Sequence, residues 1–300
     1  MLFAASPKKT RLPPKEWVKS IESTMPTKTT VEAPKRKILL FSLATGYKHY
    51  VIPYVDEMMK MVCERTKAFD LTVSTDIEDF SSEKLKQYDA ILLNNTCSIG
   101  KDRNLFKDVL INKVEVYGQK YKDLPLAERE AKVIQLEQNL LNAIESGTGL
   151  MVLHGAINIL NKSDKVSAMV GGSFDYHPKF QKIYLDLMEK DHPLLRAFKG
   201  EQVVYEDEPY ILNRAYANFN FRPLLRMDTN KLVKIKDSVK EMPRYMAWIK
   251  KYGEGRVLFS SPGHSHTTYE NPRFIEFYLD GLQYVCGDLK CDDSVPSQIK

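Results

Sequence analysis

Histidine and acidic side chains recur in this sequence directly after predicted strands, and these residue types bind metals or transfer protons. Four clusters follow such strands, namely His49 with Tyr47, His154, Asp207-Glu208-Pro209-Tyr210, and His264 with His266, and His177 joins them from a loop. Because the carboxyl ends of parallel strands meet at one crevice of an open sheet, we expect these side chains to converge there. Imidazole and carboxylate groups suit Zn²⁺ and similar divalent ions, and they equally suit general acid and base catalysis on a polyol near neutral pH.

Each of these residues also has a purely structural interpretation. His177-Pro178 and His192-Pro193 are typical of turns, and Asp207-Glu208 is typical of a solvated bend. For His192 we adopt the turn interpretation, and for the others functional clustering is the preferred hypothesis. Metal binding and metal-free acid–base catalysis both stay open, because spacing across separate loops does not identify ligands.

One stretch, Gly147-Thr-Gly-Leu-Met-Val-Leu-His154-Gly-Ala156, is expected to organise the fold around it. Its short apolar run at 150–153, entered through two glycines, predicts a central parallel strand that is buried on both faces. The small pair Gly155-Ala156 allows a sharp turn after that strand. His154 is therefore predicted at the crest of the turn, where it faces the crevice.

The elements that must position these residues alternate between strand and helix. Strands are predicted at 37–43, 69–74, 90–93 and 150–153, and helices at 52–66, 126–145 and 272–285. This alternation indicates an α/β fold with right-handed parallel crossovers. Residues 100–125 interrupt it as an insertion, and predicted strands at 223–227 and 232–235 form a small antiparallel excursion.

Neither a nucleotide site nor a thiol hydrolase is the favoured hypothesis. The pairs Gly147-x-Gly149 and Gly171-Gly172 lack a complete dinucleotide or P-loop fingerprint, so no nucleotide cofactor is expected. The predicted elbow carries a histidine in place of a serine or cysteine nucleophile. Cys97, just beyond another strand, is kept as an alternative nucleophile that alkylation would inactivate.

Composition and charge narrow the class of protein. Hydrophobic residues make up 43% and charged residues 28% of the chain, as in globular domains. The net charge of +5 is a small surplus of 44 basic over 39 acidic residues, without a basic stripe, so nucleic acid is not an expected partner. No apolar run reaches the roughly 20 residues of a membrane span. The first residues read as a trimmed signal peptide or as a plain start, so the compartment stays open between cytoplasm and export.

The motifs resemble those of the trehalose-utilisation (ThuA-like) family, which shares the fold of class I glutamine amidotransferases. The resemblance covers about residues 37–287 without the insertion. Its marks, in chain order, are Thr45-Gly46-Tyr47-Lys48-His49-Tyr50-x-Ile52-Pro53, Gly149-Leu-Met-Val-Leu-His154-Gly155-Ala156, Gly172-x-Phe174-x-x-His177-Pro178, Asp191-His192-Pro193, Asp207-Glu208-x-Tyr210, Trp248 followed by Gly253-x-Gly255, and Gly263-His264.

The resemblance implies a fold and a field of activity. The fold is an open, mostly parallel sheet of the flavodoxin-like or amidotransferase-like type, with helices on both faces. Amidotransferases carry a catalytic cysteine at the elbow, where this chain has His154, and a histidine after a late strand, where it has His264. Glutaminase activity is therefore not expected. Family membership implies carbohydrate metabolism, with a disaccharide, a glycoside or a keto-sugar as the substrate.

Together these observations predict an arm at 1–36, one domain at 37–287 and a polar tail at 288–300. The favoured function is a sugar hydrolase or isomerase, and the alternative is a non-catalytic sugar-binding or partner-binding protein. The predicted catalytic residues are His154, His177, Glu208 and His264. The predicted substrate-binding residues are Tyr47, His49, Phe174, Asp207, Tyr210 and His266. A divalent metal such as Zn²⁺ would be held by His154, His177 and His264. The expected partner is a small carbohydrate, and a second copy of the chain is kept open.

Overall fold

The computed structural model describes residues 12–297, which fold around a nine-stranded sheet. The strands of this sheet and of a smaller second one are β1 Arg36–Phe41, β2 Phe69–Ser74, β3 Ala90–Asn94, β4 Gly149–Leu153, β5 Ser173–Tyr176, β6 Gln181–Leu187, β7 Val203–Asp207, β8 Ile211–Asn213, β9 Arg222–Met227, β10 Tyr245–Tyr252 and β11 Gly255–Ser260. The large sheet has the order β2-β1-β3-β4-β11-β10-β9-β6-β7. The first five strands in this order, β2, β1, β3, β4 and β11, are parallel to one another. The predicted α/β fold with a parallel central sheet is confirmed.

The antiparallel part of the fold extends the sheet beyond β11. There β10, β9, β6 and β7 each pair antiparallel with their neighbour, and β5 pairs with β8 in a separate two-stranded sheet. The strand predicted at 232–235 is wrong. These residues follow the 3-10 turn Thr229–Lys231 without joining a sheet, and Val233 is 61% exposed, so this apolar run does not mark a buried strand.

In the described part of the chain, eight α-helices connect or flank the strands. They are α1 Lys15–Glu22, α2 Ile52–Thr66, α3 Ser82–Leu85, α4 Leu105–Lys107, α5 Val114–Tyr117, α6 Leu126–Glu145, α7 Asp164–Val170 and α8 Pro272–Val285. The three longest, α2, α6 and α8, have the bounds that their apolar periodicity predicts. Every residue of β3 and of β4 is buried, so both faces of the sheet are covered there. Within residues 12–297, no helix is both long enough and apolar enough to cross a membrane.

The described part of the N-terminal arm packs onto the far end of the chain. Trp17 on α1 is 7% exposed, and its indole Nε1 donates a hydrogen bond to Glu270 Oε1 at 2.7 Å. The hydroxyl of Thr30 donates to Asp280 on α8 at 2.5 Å. Outside the described residues lie 298–300 and the first eleven positions, including the apolar start of the chain and the basic residues Lys8, Lys9 and Arg11.

The predicted insertion forms one wall of the region beyond the sheet. It contains α4, the π-helix Asp108–Asn112, α5 and the 3-10 turn Gln119–Tyr121. Asp108 is fully buried and accepts hydrogen bonds from the Thr45 hydroxyl at 2.6 Å and from the Ile99 backbone N–H at 2.9 Å. A buried carboxylate is stable only when it is hydrogen-bonded in this way. The insertion is thereby fixed to the loop that follows β1.

Candidate functional site

A strained turn places His154 at the end of the central strand. The residue follows β4 directly, begins the 3-10 helix His154–Asn158 and has a φ of 47°, in the left-handed region. A Cβ on Gly155 would lie 2.6 Å from His49 Cε1 and 2.7 Å from Cys97 Sγ, so only glycine fits there. His154 Nδ1 donates to the Ser261 carbonyl at 2.6 Å, and Nε2 is hydrogen-bonded to the Tyr210 hydroxyl at 2.9 Å.

A second turn, after β11, presents His264 beside His154. The carboxylate of Asp207 holds this turn, because it accepts the backbone N–H of Gly263 at 2.8 Å and that of His264 at 3.2 Å. The same carboxylate accepts the backbone N–H of Glu208 at 2.7 Å. Asp207 is fully buried, and burial raises the pKa of its carboxyl although His154 and these backbone donors oppose the change. Asp207 therefore connects the end of β7 to the turn that carries His264.

Glu208 occupies the centre of the histidine group. Its Oε2 lies 3.2 Å from His264 Nδ1 and 3.6 Å from His154 Nε2, and its Oε1 lies 3.6 Å from His177 Nε2. Burial alone would raise the pKa of Glu208, but the interactions with His154 and His264 outweigh it and hold this pKa well below its usual range. Burial would lower the pKa of His264, yet the Glu208 carboxylate raises it overall. Glu208 is thus an ionised carboxylate among imidazoles.

His49 comes from the loop after β1 and lies under the same group. It is 2% exposed, and its ring centroid is 4.9 Å from that of His154 and 5.2 Å from that of His264. Burial, together with the neighbouring His154 and His264, lowers its pKa to about 2, so the ring is neutral at any working pH. Its Nδ1 lies 3.7 Å from Cys97 Sγ. A neutral imidazole is the form that binds metal ions.

Four of these residues have the arrangement of a metal-binding group. The ligand atoms of His49, His154, Glu208 and His264 all lie within 4.8 Å of one another. For His154, the nitrogen that points away from the group is bonded to a backbone carbonyl, as is usual for histidines that bind metals. Binding at His154 Nε2 would require the Tyr210 hydroxyl to give up its hydrogen bond to that atom.

The nitrogen of His264 gives a further indication. His264 Nδ1 is buried, and its 3.2 Å contact with the Glu208 carboxylate lacks the geometry of a hydrogen bond. A buried polar atom of this kind costs free energy unless something satisfies it, and a cation between the nitrogen and the carboxylate would do so. Imidazole and carboxylate ligands fit Zn²⁺ and related divalent ions.

A cavity of about 420 Å³ opens beside this group. Its volume is in the range of small-molecule sites. Aromatic, polar and charged side chains share the lining, which is formed by Tyr47, His49, Cys97, Ser98, Ile99, Gly100, Arg103, Asn158, Phe174, His177, Glu208 and Tyr210. Tyr210 packs between two neighbours, with its ring centroid 4.3 Å from that of His154 and 4.7 Å from that of Phe174.

Most of the predicted site residues meet around Glu208 and this cavity, namely Tyr47, His49, His154, Phe174, His177, Tyr210 and His264. Asp207 and His266 belong neither to the cavity lining nor to the metal-binding group. Asp207 lies beneath it with its carboxylate bound to backbone N–H groups, and His266 faces Tyr50, whose hydroxyl is 3.0 Å from His266 Nδ1. Of the three predicted metal ligands, His177 lies at the exposed rim, while His49 and Glu208 join the other two in the group.

Sequence reasoning missed Arg103 and Asn158 as cavity residues and gave Cys97 a different role. Arg103 belongs to the insertion, which starts soon after β3 ends at Asn94. Its position could have been predicted from the topology, because whatever follows the carboxyl end of a central parallel strand must border the crevice. Burial raises the pKa of the Cys97 thiol to about 12, and Cys97 Sγ lies 3.2 Å from the Gly155 carbonyl.

Comparison with protein-family models matches residues 124–285, more than half of the chain, to the ThuA family, described as trehalose utilisation. The chain belongs to the trehalose-utilisation family. The matched segment of this ThuA-like protein carries His154, Glu208 and His264, while His49 lies before it. No curated protein matches the chain.

Solved structures similar to this ThuA-like chain include two described as ThuA-like. That from Bacteroides uniformis has a TM-score of 0.62 at 18% identity, with 85% of this chain and 93% of that chain covered. That from Parabacteroides merdae has a TM-score of 0.57 at 15% identity, with 88% and 94% covered. A cytoplasmic protein from Salmonella typhimurium has a TM-score of 0.55 at 11% identity, with 83% and 98% covered. At these identities the similarity establishes the fold alone.

Proposed function

We propose that this chain is an enzyme of carbohydrate metabolism that acts on a disaccharide, glycoside or keto-sugar with the help of a divalent metal. The observation that carries the proposal is the convergence of His49, His154, Glu208 and His264 within 4.8 Å of one another, beside a cavity of about 420 Å³. The family description, trehalose utilisation, supports the choice of a sugar as substrate.

The metal would be held by the three imidazoles and the Glu208 carboxylate. When bound, a divalent ion supplies Lewis-acid polarisation of a sugar carbonyl or hydroxyl oxygen. The elements that carry these ligands are fixed independently of it: His154 by its bond to Ser261, and the His264 turn by Asp207. Such preorganisation favours binding because little ordering remains to be done.

Other residues of the cavity would bind the sugar and move protons. Tyr47 and Phe174 offer ring faces for the apolar side of a sugar, and Tyr210 offers a hydroxyl. His177, at the exposed rim 3.6 Å from Glu208, is placed to exchange a proton between substrate and solvent. Proton transfer beside a polarised oxygen is the chemistry of a hydrolase or an isomerase. Glutaminase chemistry is not proposed, because a histidine occupies the elbow and the nearby Cys97 thiol has a pKa of about 12.

The test begins with metal content. Purified full-length chain is dialysed against Zn²⁺, Mn²⁺ or Co²⁺ in turn, and elemental analysis gives the metal per chain. We expect about one ion per chain for the wild type and for the control His266→Asn, whose side chain lies outside the metal-binding group, and clear loss in Glu208→Gln and His264→Asn. Circular dichroism checks that each variant is folded. Equal metal content in all four proteins would contradict the proposal.

Substrate turnover is then followed by NMR with a panel of disaccharides and their keto forms. We expect the metal-loaded wild type and the His266→Asn control to convert at least one sugar, and Glu208→Gln to convert none. A sugar that binds to the metal-loaded wild type but is recovered unchanged would favour the alternative, a sugar-binding protein on the same fold. The aromatic lining of the cavity is compatible with that role as well.

A further inference from the structure

Arg103 contributes a positive charge to the cavity that the proposed chemistry does not use. Among the described residues that line the cavity, it is the one arginine or lysine, and Glu208 is the one acid. The guanidinium carbon lies 5.7 Å from the centroid of the Phe174 ring, in a cation–π contact. Within residues 12–297, no carboxylate forms an ion pair with Arg103, whereas Glu208 is already surrounded by histidines.

The backbone around Arg103 is built to hold this side chain in place. Arg103 has a φ of 40°, a left-handed conformation that is unfavourable for a residue with a side chain. Its carbonyl accepts the backbone N–H of Asn161 at 2.9 Å, and the next residue, Asn104, forms an isolated bridge with Leu160. The Arg103 side chain therefore projects from a loop whose backbone is held by hydrogen bonds to residues 160 and 161.

The same asparagine also fixes the ring against which Arg103 lies. Asn161 is 4% exposed, and its side-chain amide accepts the Phe174 backbone N–H at 2.8 Å and donates to the Phe174 carbonyl at 2.9 Å. One buried residue thus positions both the arginine and its aromatic partner. A preorganised guanidinium in a cavity is suited to bidentate recognition of a carboxylate or a phosphate.

We propose that Arg103 binds an anionic oxygen group, a carboxylate or a phosphate, carried by the sugar substrate. The proposal rests on the proposed function for the nature of the rest of the ligand. Charge balance supports it, because a divalent ion and Arg103 together carry three positive charges, which exceed the charges of the two carboxylates Glu208 and Asp207. An anionic sugar would match that surplus, and a neutral sugar would leave the guanidinium without a counter-charge in a partly enclosed cavity.

The test compares matched ligands by isothermal titration calorimetry of the metal-loaded, full-length chain. Glucuronate and glucose 6-phosphate carry the two anionic groups, and glucose is the neutral reference. The variants are Arg103→Gln, Arg103→Lys and the control Lys101→Gln, which removes an exposed charge from the same loop. Thermal unfolding of each variant checks that the fold is retained.

We expect at least one anionic sugar to bind the wild type about tenfold or more tightly than glucose. Arg103→Gln should remove this preference while leaving glucose binding unchanged. Arg103→Lys should keep part of it, because lysine supplies charge without the planar fork, and Lys101→Gln should behave as the wild type. Whether glucuronate or glucose 6-phosphate shows the preference identifies the anionic group.

Two results would overturn the proposal: glucose binding as tightly as both anionic sugars, or a preference that persists in Arg103→Gln. Inorganic phosphate separates this proposal from the proposed function. If no sugar binds but phosphate binds the wild type and not Arg103→Gln, the anion site stands and the sugar-processing function fails. If phosphate binds both proteins equally and no sugar binds, both proposals fail.

Discussion

Asp207→Asn is the substitution that best tests how the candidate centre is held. The wild-type carboxylate accepts three backbone N–H groups, from Glu208 at 2.7 Å, Gly263 at 2.8 Å and His264 at 3.2 Å. Asparagine has the same shape but a single oxygen. In either orientation of the amide, one of the two shorter bonds is replaced by an NH₂ group facing a backbone N–H.

The magnitude follows from that loss. A buried donor left without its acceptor costs about 1–3 kcal/mol, so the free energy of unfolding should fall by that amount. Because the same carboxylate positions both Glu208 and His264, two members of the metal-binding group, Zn²⁺ affinity should fall about 10–100-fold. Stability and metal affinity should therefore change together.

Urea unfolding followed by circular dichroism measures the first quantity on metal-free protein, and calorimetric titration with Zn²⁺ measures the second. Asp175→Asn is the matched control, because Asp175 is exposed on β5 close to the cavity residue Phe174. It should change neither quantity. An Asp207→Asn protein with wild-type unfolding and wild-type Zn²⁺ affinity would show that this carboxylate does not hold the turn.

Three further outcomes are expected. Gly155→Ala should lower the free energy of unfolding by about 1–3 kcal/mol in urea titrations, because the new Cβ would lie 2.6 Å from His49 Cε1; unchanged stability would contradict the packing. Burial lowers the pKa of Lys250 to about 8 from 10.5, so between these pH values the unfolded state binds the extra proton. As the pH rises from 8 to 10.5, the free energy of unfolding of the wild type should therefore increase by up to about 3 kcal/mol relative to that of Lys250→Met. Parallel pH profiles of the two free energies would refute this. Cys97, 4% exposed with a pKa of about 12, should resist iodoacetamide at pH 8 in the folded chain by mass spectrometry. Rapid inactivation on alkylation would restore the thiol-hydrolase hypothesis.

The elements with a strong local signal were the ones that the sequence predicts well. Helices α2, α6 and α8 each have an apolar stripe and a proline within one residue of their first residue, and their bounds agree with the prediction. The apolar run of β4 likewise indicates a fully buried strand. By contrast, the run at 232–235 joins no sheet although Leu232 is 7% exposed, since nothing local distinguishes an apolar loop residue that packs on the core from one in a strand.

The sequence predicted which residues belong to the site, but not which of them contact one another. Position after a strand identified His49, His154, Glu208 and His264 as members of one crevice. Which of them form the candidate metal-binding group depends on the distances between their ligand atoms, which are set by the tertiary packing of separate loops. His177 lies at the rim, where its Nδ1 donates a hydrogen bond to the Pro178 carbonyl at 2.9 Å. The spacing of residues in the sequence does not predict a contact of that kind.

The candidate centre is assembled from loops that lie far apart along the chain. His49 follows β1 and His264 follows β11, and the two loops become neighbours only after β1, β3, β4 and β11 have paired in parallel. Contacts of such sequence separation form slowly, because their loops must close before any pairing stabilises them. Helices such as α6 can form early from local interactions, but the group of His49, His154, Glu208 and His264 cannot. During refolding, uptake of the proposed metal would therefore be a late event and would report on completion of the parallel half of the sheet.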